Sequence, residues 1–514
     1  MGATVSGPRV KTIRKVLVAN RGEIARRVFR TCRELGIGTV AVFSEPDRKS
    51  PFALEADEAV ALGGATSAES YLRVDAIVEA ARRTGADAVH PGYGFLAENA
   101  AFARAVRDAG LIFVGPSPAA IATMGNKLEA KLLIAQVGVV VLPSVTTAGQ
   151  SGPKLRDAVA TLGWPVLVKA TAGGGGRGMR VVRSPDDLEE ALKSAAREAE
   201  AAFGDGTLFL ERYLEGARHV EVQVMGDAHG NVVSLLEREC SIQRRHQKIL
   251  EESPSPAVDE PLRQALGAAA VEAARAVGYV GAGTVEFLLT PQREFFFMEM
   301  NTRLQVEHPV TEAVTGLDLV RLQIHVAEGD VLPREAMTPT LSGHAIEVRL
   351  CAEDPARDFR PSTGTVHLFH VPGGPGLRVD SGIADGSSVS PHYDSLLAKL
   401  VAHAPTRAEA ASRLAAAVSG MRLHGLVTNR DLLLALLRHP EFLEGRTDTQ
   451  FLERHPPEVV GALAEPPETE RLHAAAAALG AAEDRRRRAR ALSFLPSGWR
   501  NNPSEPQRVV FEGR

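Results

Sequence analysis

Two glutamates on facing arms of one apolar hairpin are the first residues in this sequence whose placement could do chemistry. Residues 283–289 and 294–300 read as strands folding back around Pro291-Gln292, and strand parity puts Glu286 and Glu299 on one face. That holds whether the turn is centred before or after Gln292. Their neighbours Val285, Phe287, Phe295 and Phe297 are apolar. Carboxylates converging there repel each other unless a cation lies between them. A hard divalent ion, Mg²⁺ or Mn²⁺, bridging to ATP phosphates is the natural occupant. The competing reading is a pair of solvated acids on an exposed hairpin face. Nothing in the pattern resembles a zinc site.

The chain then runs Met300-Asn301-Thr302-Arg303-Leu304-Gln305-Val306-Glu307. If it stays extended, Glu299, Asn301, Arg303, Gln305 and Glu307 point one way and Met300, Leu304 and Val306 the other. The plain reading is the wet face of an amphipathic strand. Acid, amide and guanidinium groups in register with the paired glutamates favour an active-site floor. A guanidinium there can hold a small planar oxyanion such as bicarbonate through two parallel hydrogen bonds, and Glu307 is a candidate general base.

A glycine run, Gly173-Gly174-Gly175-Gly176-Arg177-Gly178, lies between two apolar strands expected over 166–169 and 179–182. A dinucleotide fingerprint requires a helix afterwards, and a Walker A loop requires Lys-Ser or Lys-Thr; neither is present. What survives is a hairpin tip whose backbone N–H groups can close over phosphates, with Lys169 ending the strand before it. The alternative is a flexible surface loop. A third cluster, Glu237-Arg238-Glu239-Cys240 through Arg244-Arg245-His246-Gln247-Lys248, reads equally as a solvated charged loop or an anion-handling segment. Cys240 reads as a small packed residue, since no base is placed to activate it.

These residues need elements to hold them. Strands at 15–19, 39–44, 87–90 and 111–114 alternate with helices at 22–35, 74–84 and 98–109, which implies a parallel, doubly wound sheet over 10–123. In the helix at 22–35, Ile24, Val28, Cys32 and Leu35 recur at helical spacing. Ligands in such folds sit in the loops after the strands, here Asn20-Arg21-Gly22-Glu23 and His90-Pro91-Gly92-Tyr93-Gly94. Residues 143–153, rich in Ser, Thr, Gly and Pro, lead into a mobile subdomain. Residues 164–300 read mainly as strands and hairpins, with helices at 186–202 and 260–277. Residues 343–401 suggest a small antiparallel domain, followed by helices at 407–418 and 429–438. A final charged helix over 468–491 contains Arg485 to Arg488, read as a solvated helix face or linker.

The 514 residues suggest about three domains, and 44% hydrophobic residues, 24% charged residues and a net charge of -4 give no bulk attraction to nucleic acid or an anionic membrane. No apolar run is long enough for a membrane helix, and residues 1–9 lack the apolar core of a signal peptide. Cys32, Cys240 and Cys351 are widely spaced, so a reducing cytoplasm is expected.

Several longer motifs occur in a fixed order: Ala19-Asn20-Arg21-Gly22-Glu23-Ile24-Ala25, His90-Pro91-Gly92-Tyr93-Gly94-Phe95-Leu96, Met124-Gly125-Asn126-Lys127, the glycine run, Arg244-Arg245-His246-Gln247-Lys248, and the stretch from Glu299 to Pro309. Together they resemble the biotin carboxylase family of ATP-grasp ligases, from about Lys11 to Leu452. The resemblance implies an α/β chain: a Rossmann-like domain over 10–123, an ATP-grasp domain over 124–335 with a mobile lid at about 140–212, an α+β domain over 343–452, and a helical tail over 453–514. It implies ATP-dependent carboxylation of biotin with bicarbonate, through carboxyphosphate. Lys127, Lys169, Gly174, Gly175, Gly176, His219, Gln243, His246 and Leu288 would contact ATP, with Glu211 and Leu214 at its adenine end. Glu286 and Glu299 would bind Mg²⁺ or Mn²⁺, with Asn301 nearby. Lys248, Arg303, Gln305 and Val306 would hold bicarbonate, Glu307 would deprotonate it, and Arg349 would stabilise the biotin enolate.

Ala172 stands where many members carry glycine, which stiffens the loop slightly. No Ala-Met-Lys-Met biotin-attachment sequence occurs, so biotin is expected on another chain or on a region missing from this one. The stretch 494–501 resembles the segment after the carboxylase domain in long acyl-CoA carboxylase α chains. That implies a biotin carrier, a carboxyltransferase subunit and a homodimer or larger complex as partners. The enzyme alternative is a carbamoyl-phosphate synthase-like ligase, which needs no residue like Arg349. A non-catalytic nucleotide-binding scaffold would predict damage at Glu286, Glu299, Arg303 or Glu307, and all four are intact.

Overall fold

The computed structural model describes residues 12–148, 152–171, 179–245, 247–460, 467–491, 494–495 and 508–510. Two units, Met1–Gly461 and Ala462–Arg514, are each compact. The first begins with a five-stranded parallel sheet in the order Glu58–Ala61, Gly38–Phe43, Lys15–Val18, Ala88–His90, Ile112–Phe113. Four of these are the short apolar runs the sequence marks as strands. The fifth, Glu58–Ala61, is a largely exposed edge strand that the sequence reading did not mark.

The strand order reverses between Lys15–Val18 and Ala88–His90, which opens a crevice between the loops that follow them. Those loops are stitched together: Ala19 N–H donates to the His90 carbonyl at 2.9 Å, and the Asn20 amide donates to the carbonyls of Pro91 at 2.8 Å and Tyr93 at 2.7 Å. Gly92 has φ +63°, and a Cβ there would meet the Asn20 amide nitrogen at 2.8 Å, so only glycine lets the loops approach. In helix Gly22–Glu34, Ile24, Val28 and Cys32 are buried as expected, whereas Leu35 lies past the last turn and is 41% exposed. Arg27, on the same helix, is buried against Glu312 at 2.6 Å and Asp318 at 2.8 Å.

A second, antiparallel sheet of four strands runs in the order Ser144–Thr146, Leu208–Arg212, Val166–Ala170, Arg180–Val182. Leu155, Val159, Leu188, Ala195 and Ala199 from helices Gly152–Ala160 and Leu188–Phe203 share its core. Val166–Ala170 and Arg180–Val182 pair as the hairpin expected around the glycine run, whose tip, 172–178, lies outside the described residues.

The third sheet has eight antiparallel strands: Phe295–Asn301, Gly281–Leu289, Arg218–Gly226, Val232–Arg244, Gln247–Ser253, His344–Cys351, Leu396–Ala404, Leu377–Ser381. The antiparallel strands expected after residue 343 are present, but the longest of them do not form a sheet of their own. His344–Cys351 pairs with Gln247–Ser253, so the C-terminal strands extend the central sheet. Hydrophobic alternation reports which face is buried, not which strand lies alongside, and this partner is distant in sequence.

No helix among the described residues is long and apolar enough to cross a membrane. The second unit holds the helix Pro467–Arg488, in which Arg486 pairs with Glu483 at 2.5 Å and Arg488 with Asp484 at 3.1 Å. Those pairs are the solvated helix face expected of the arginine run. Of the stretch 494–501, only Phe494 and Leu495 are among the described residues.

Candidate active site

One cavity of about 1450 Å³ lies at the carboxyl-end loops of the parallel sheet, against the central sheet and the four-stranded sheet. Glu286 and Glu299 reach it by an irregular route. Near the turn, Leu289 pairs with Phe295 and Phe287 with Phe297, a register centred on Gln292 that would set Glu286 opposite Met298. A bulge between Glu286 and Phe287 shifts the register by one residue, and Glu286 then lies directly across from Glu299. The opposite hairpin face, with Val285, Phe287, Phe297 and Met300, packs into a core shared with Leu266 and Ala270. The alternative of two acids on a solvated face is therefore overturned, since Glu286 is only 4% exposed.

Lys248 is the hub of the site. Its ammonium contacts Glu221, lies 3.0 Å from Glu286 Oε1 and 2.5 Å from Glu307 Oε1. Burial would lower its pKa, but the three carboxylates outweigh burial and hold it well above the usual lysine range. Glu286 Oε1 also accepts from the amides of Asn301 and Gln305, both at 2.9 Å, while Oε2 lies 3.1 Å from His219 Nε2. Burial would raise the Glu286 carboxyl; Lys248 and His219 outweigh it and hold it well below the usual range.

Glu307 is bracketed. Lys248 takes one oxygen, and Arg349 Nη2 donates to the other at 3.0 Å, while Arg349 Nε donates to Glu251 at 2.6 Å. Against its burial, Lys248 and Arg349 keep Glu307 ionised, well below the usual carboxylate range. Arg303, which lines the cavity, donates through Nε to Glu98 at 2.8 Å, through Nη2 to the Asn301 amide oxygen at 3.1 Å and through Nη1 to the Leu304 carbonyl at 3.4 Å. The chain does not stay extended after Asn301: it turns at 302–307 and enters helix His308–Thr315. Even so, Asn301, Arg303, Gln305 and Glu307 all line the cavity, and Val306 joins them. Lys399 holds that turn by donating to the Val306 carbonyl at 2.8 Å.

At the other end, Lys127 sits 3.1 Å from Glu299, whose carboxyl it holds below the usual range. Lys169 pairs with Glu211 at 2.6 Å, and Lys131 contacts the same carboxylate. Leu214, His219, Gln243 and Leu288 complete this end of the lining. Gly174, Gly175, Gly176 and His246 lie outside the described residues. Glu286 and Glu299 face one another across the hairpin and offer carboxylate oxygens that suit a hard divalent ion, while Asn301 beside them turns its NH₂ to Glu286 and its amide oxygen to Arg303.

The charge-dense third cluster is no solvated loop. Glu237, Arg238 and Glu239 lie in the interior of the strand Val232–Arg244 and are buried. Burial pushes the Cys240 thiol well above its usual range, as befits a packed residue. Sequence reasoning missed Glu98, Glu221 and Glu251, each the direct ionic partner of a site cation. Glu98 was expected inside a helix that in fact begins at Ala100, capped by Asn99. Glu221 alternates with His219 and Gln223 along one strand, a pattern that could have flagged it.

Family models described as "Biotin carboxylase, N-terminal domain", "Carbamoyl-phosphate synthase L chain, ATP binding domain" and "Biotin carboxylase C-terminal domain" match residues 12–121, 126–335 and 347–454. The biotin carboxylase of Halalkalibacterium halodurans is 48% identical over 442 residues, which span 86% of this chain and 98% of that protein. The mitochondrial methylcrotonoyl-CoA carboxylase subunit alpha of rice is 51% identical over 86% of this chain, but the chain spans only 60% of that subunit's length. Among solved structures, the biotin carboxylase domain dimer of Hydrogenobacter thermophilus 2-oxoglutarate carboxylase, in complex with magnesium ADP, ADP and bicarbonate, superposes with a TM-score of 0.85. It is 43% identical and covered in full, over 88% of this chain.

Proposed function

Because the chain belongs to the biotin carboxylase family, we propose that its cavity carboxylates biotin with ATP and bicarbonate through carboxyphosphate, the nucleotide lying toward Lys127 and biotin toward Arg349. The observation that carries this reading is the position of Lys248, within 3.0 Å of both Glu286 and Glu307. One ammonium thereby joins the carboxylates suited to a metal–phosphate end to a carboxylate suited to proton transfer.

Glu286, Glu299 and Asn301 would hold Mg²⁺ or Mn²⁺, which supplies positive charge to the phosphates during transfer. Lys248, Arg303, Gln305 and the Val306 backbone bind bicarbonate, and Glu307, ionised in the resting site, accepts its proton. As Lys248 turns to the bound anion, Glu307 loses a neutralising partner and becomes a stronger base. The anion attacks the γ-phosphorus and ADP leaves. Carboxyphosphate then divides into CO₂ and phosphate; the released phosphate takes the ureido N–H proton of biotin, and Arg349 stabilises the resulting enolate, whose nitrogen takes up the CO₂. The four-stranded sheet with the hairpin Val166–Ala170 and Arg180–Val182 forms the lid that keeps water from the unstable intermediate.

A carbamoyl-phosphate synthase-like activity would share the central segment alone. Against it stands Arg349, which belongs to the segment that matches the biotin carboxylase C-terminal description and reaches Glu307. Biotin is supplied on a carrier domain of another chain or of a longer form of this one. A carboxyltransferase then passes the carboxyl group to an acyl-CoA, as in the acyl-CoA carboxylases whose α chains this sequence resembles. Three free cysteines, two of them buried, support work in a reducing compartment, the cytoplasm. ADP release should require bicarbonate and rise on adding free biotin; release indifferent to biotin would count against the assignment.

A further inference from the structure

Arg238 does no chemistry in this scheme, yet it is among the largest fully buried side chains in the protein. Its guanidinium has five N–H donors, and each has an acceptor. Nε donates to Glu221 Oε1 at 2.6 Å, and Nη1 donates to Gln223 Oε1 at 2.8 Å and Thr311 Oγ1 at 2.9 Å. Nη2 donates to Thr284 Oγ1 and Gln305 Oε1, both at 3.1 Å. Those acceptors come from two neighbouring strands, a helix and the turn that carries Gln305. Burying a cation so completely is not needed for stability, since packed apolar groups often do as well.

One of the acceptors, Gln305, lines the cavity, and another, Glu221, is in contact with the cavity lysine Lys248. A glutamine amide can sit either way round at nearly equal volume. Arg238 can only donate, so it draws the Gln305 oxygen inward and leaves the Gln305 NH₂ to face Glu286, 2.9 Å away, and the cavity. Glu221 is likewise held by Arg238 through one oxygen, and its other oxygen takes the Lys248 ammonium. We infer that Arg238 is the positioning residue of the bicarbonate subsite: one rigid fork fixes which end of the Gln305 amide meets the anion and, through Glu221, where Lys248 waits for it. The inference rests on the reading that Gln305 and Lys248 hold bicarbonate.

Arg238→Lys separates this role from simple charge burial, because a lysine keeps the charge but cannot span Glu221 and Gln305 together. The variant should raise KM for bicarbonate about tenfold or more while KM for ATP moves less than about threefold. Equal changes in both constants, or no change in either, would overturn the inference. Gln305→Ala serves as the control: if it leaves KM for bicarbonate unchanged, the subsite reading itself fails, whatever Arg238 does. Should Arg238→Lys not fold, Thr311→Val removes one of the acceptors that aim the fork at little change in volume. It should raise KM for bicarbonate alone by about threefold, and an unchanged value would contradict the positioning role.

Discussion

Glu307 is an ionised carboxylate gripped at both oxygens, by Lys248 on one side and Arg349 on the other. Glu307→Gln preserves the shape of that contact and removes the proton acceptor. The variant should bind ATP within about threefold of the parent chain, whereas biotin carboxylation should fall by ~10²-fold or more. A near-normal carboxylation rate, measured under saturating ATP, would remove Glu307 as the base. A second residue-scale prediction concerns His90. Its Nδ1 accepts from Gly92 N–H at 3.0 Å, so Nε2 carries the proton toward Gln323 at 3.2 Å. Burial pushes this imidazole down from 6.5 to about 4. The unfolded chain therefore takes up a proton that the folded chain refuses, and stability present above pH 6.5 is lost as pH falls toward about 4. The loss should be on the order of 3 kcal/mol by denaturant titration, and a His90→Asn variant should lack that part of the slope. These roles differ in how plainly the sequence shows them. Glu286, Arg303 and Glu307 stand in a polar–apolar alternation that marks a face. Arg238, Glu221 and Glu251 are buried on three neighbouring strands of the central sheet, and charge density alone cannot distinguish them from a wet loop.

At the scale of elements, secondary structure places the site more than any single contact does. Helix Lys127–Gln136 begins at a cavity lysine, and the Asn126 side chain accepts from the N–H groups of Leu128 at 3.2 Å and Glu129 at 3.3 Å. Asn126→Ala should cost about 1 kcal/mol of stability and, by loosening the turn that carries Lys127, raise KM for ATP by a few-fold. If stability falls while KM for ATP stays put, the cap serves the helix but not the site. The hairpin with Glu286 and Glu299 shows what pattern reading can and cannot reach. Parity predicted a shared face from either of two turn centres. The strands instead start in a third register and recover the pairing through a bulge, which no residue type announces. Likewise the run His344–Cys351 reads as a strand, but its place beside Gln247–Ser253 depends on a partner that local sequence does not name.

At the scale of the whole molecule, three sheets converge on one cavity. Links between distant parts of the chain hold its walls: Arg303 to Glu98 joins the turn after the acidic hairpin to the loop after strand Ala88–His90, and Arg349 to Glu307 joins the C-terminal strands to that same turn. The parallel sheet was legible because short apolar strands alternate with amphipathic helices. The merger of the central and C-terminal strands was not, because it rests on long-range pairing. The central claim is that ATP cleavage in this cavity is spent on fixing bicarbonate carbon to biotin. The most direct measurement is an incubation of the full chain with ATP, free biotin and radiolabelled bicarbonate, comparing acid-labile carbon on biotin with ADP formed. Under saturating biotin the account predicts labelled carboxybiotin that rises with ADP and vanishes with Glu307→Gln. ADP formed in the presence of biotin with no label fixed on it would contradict the account.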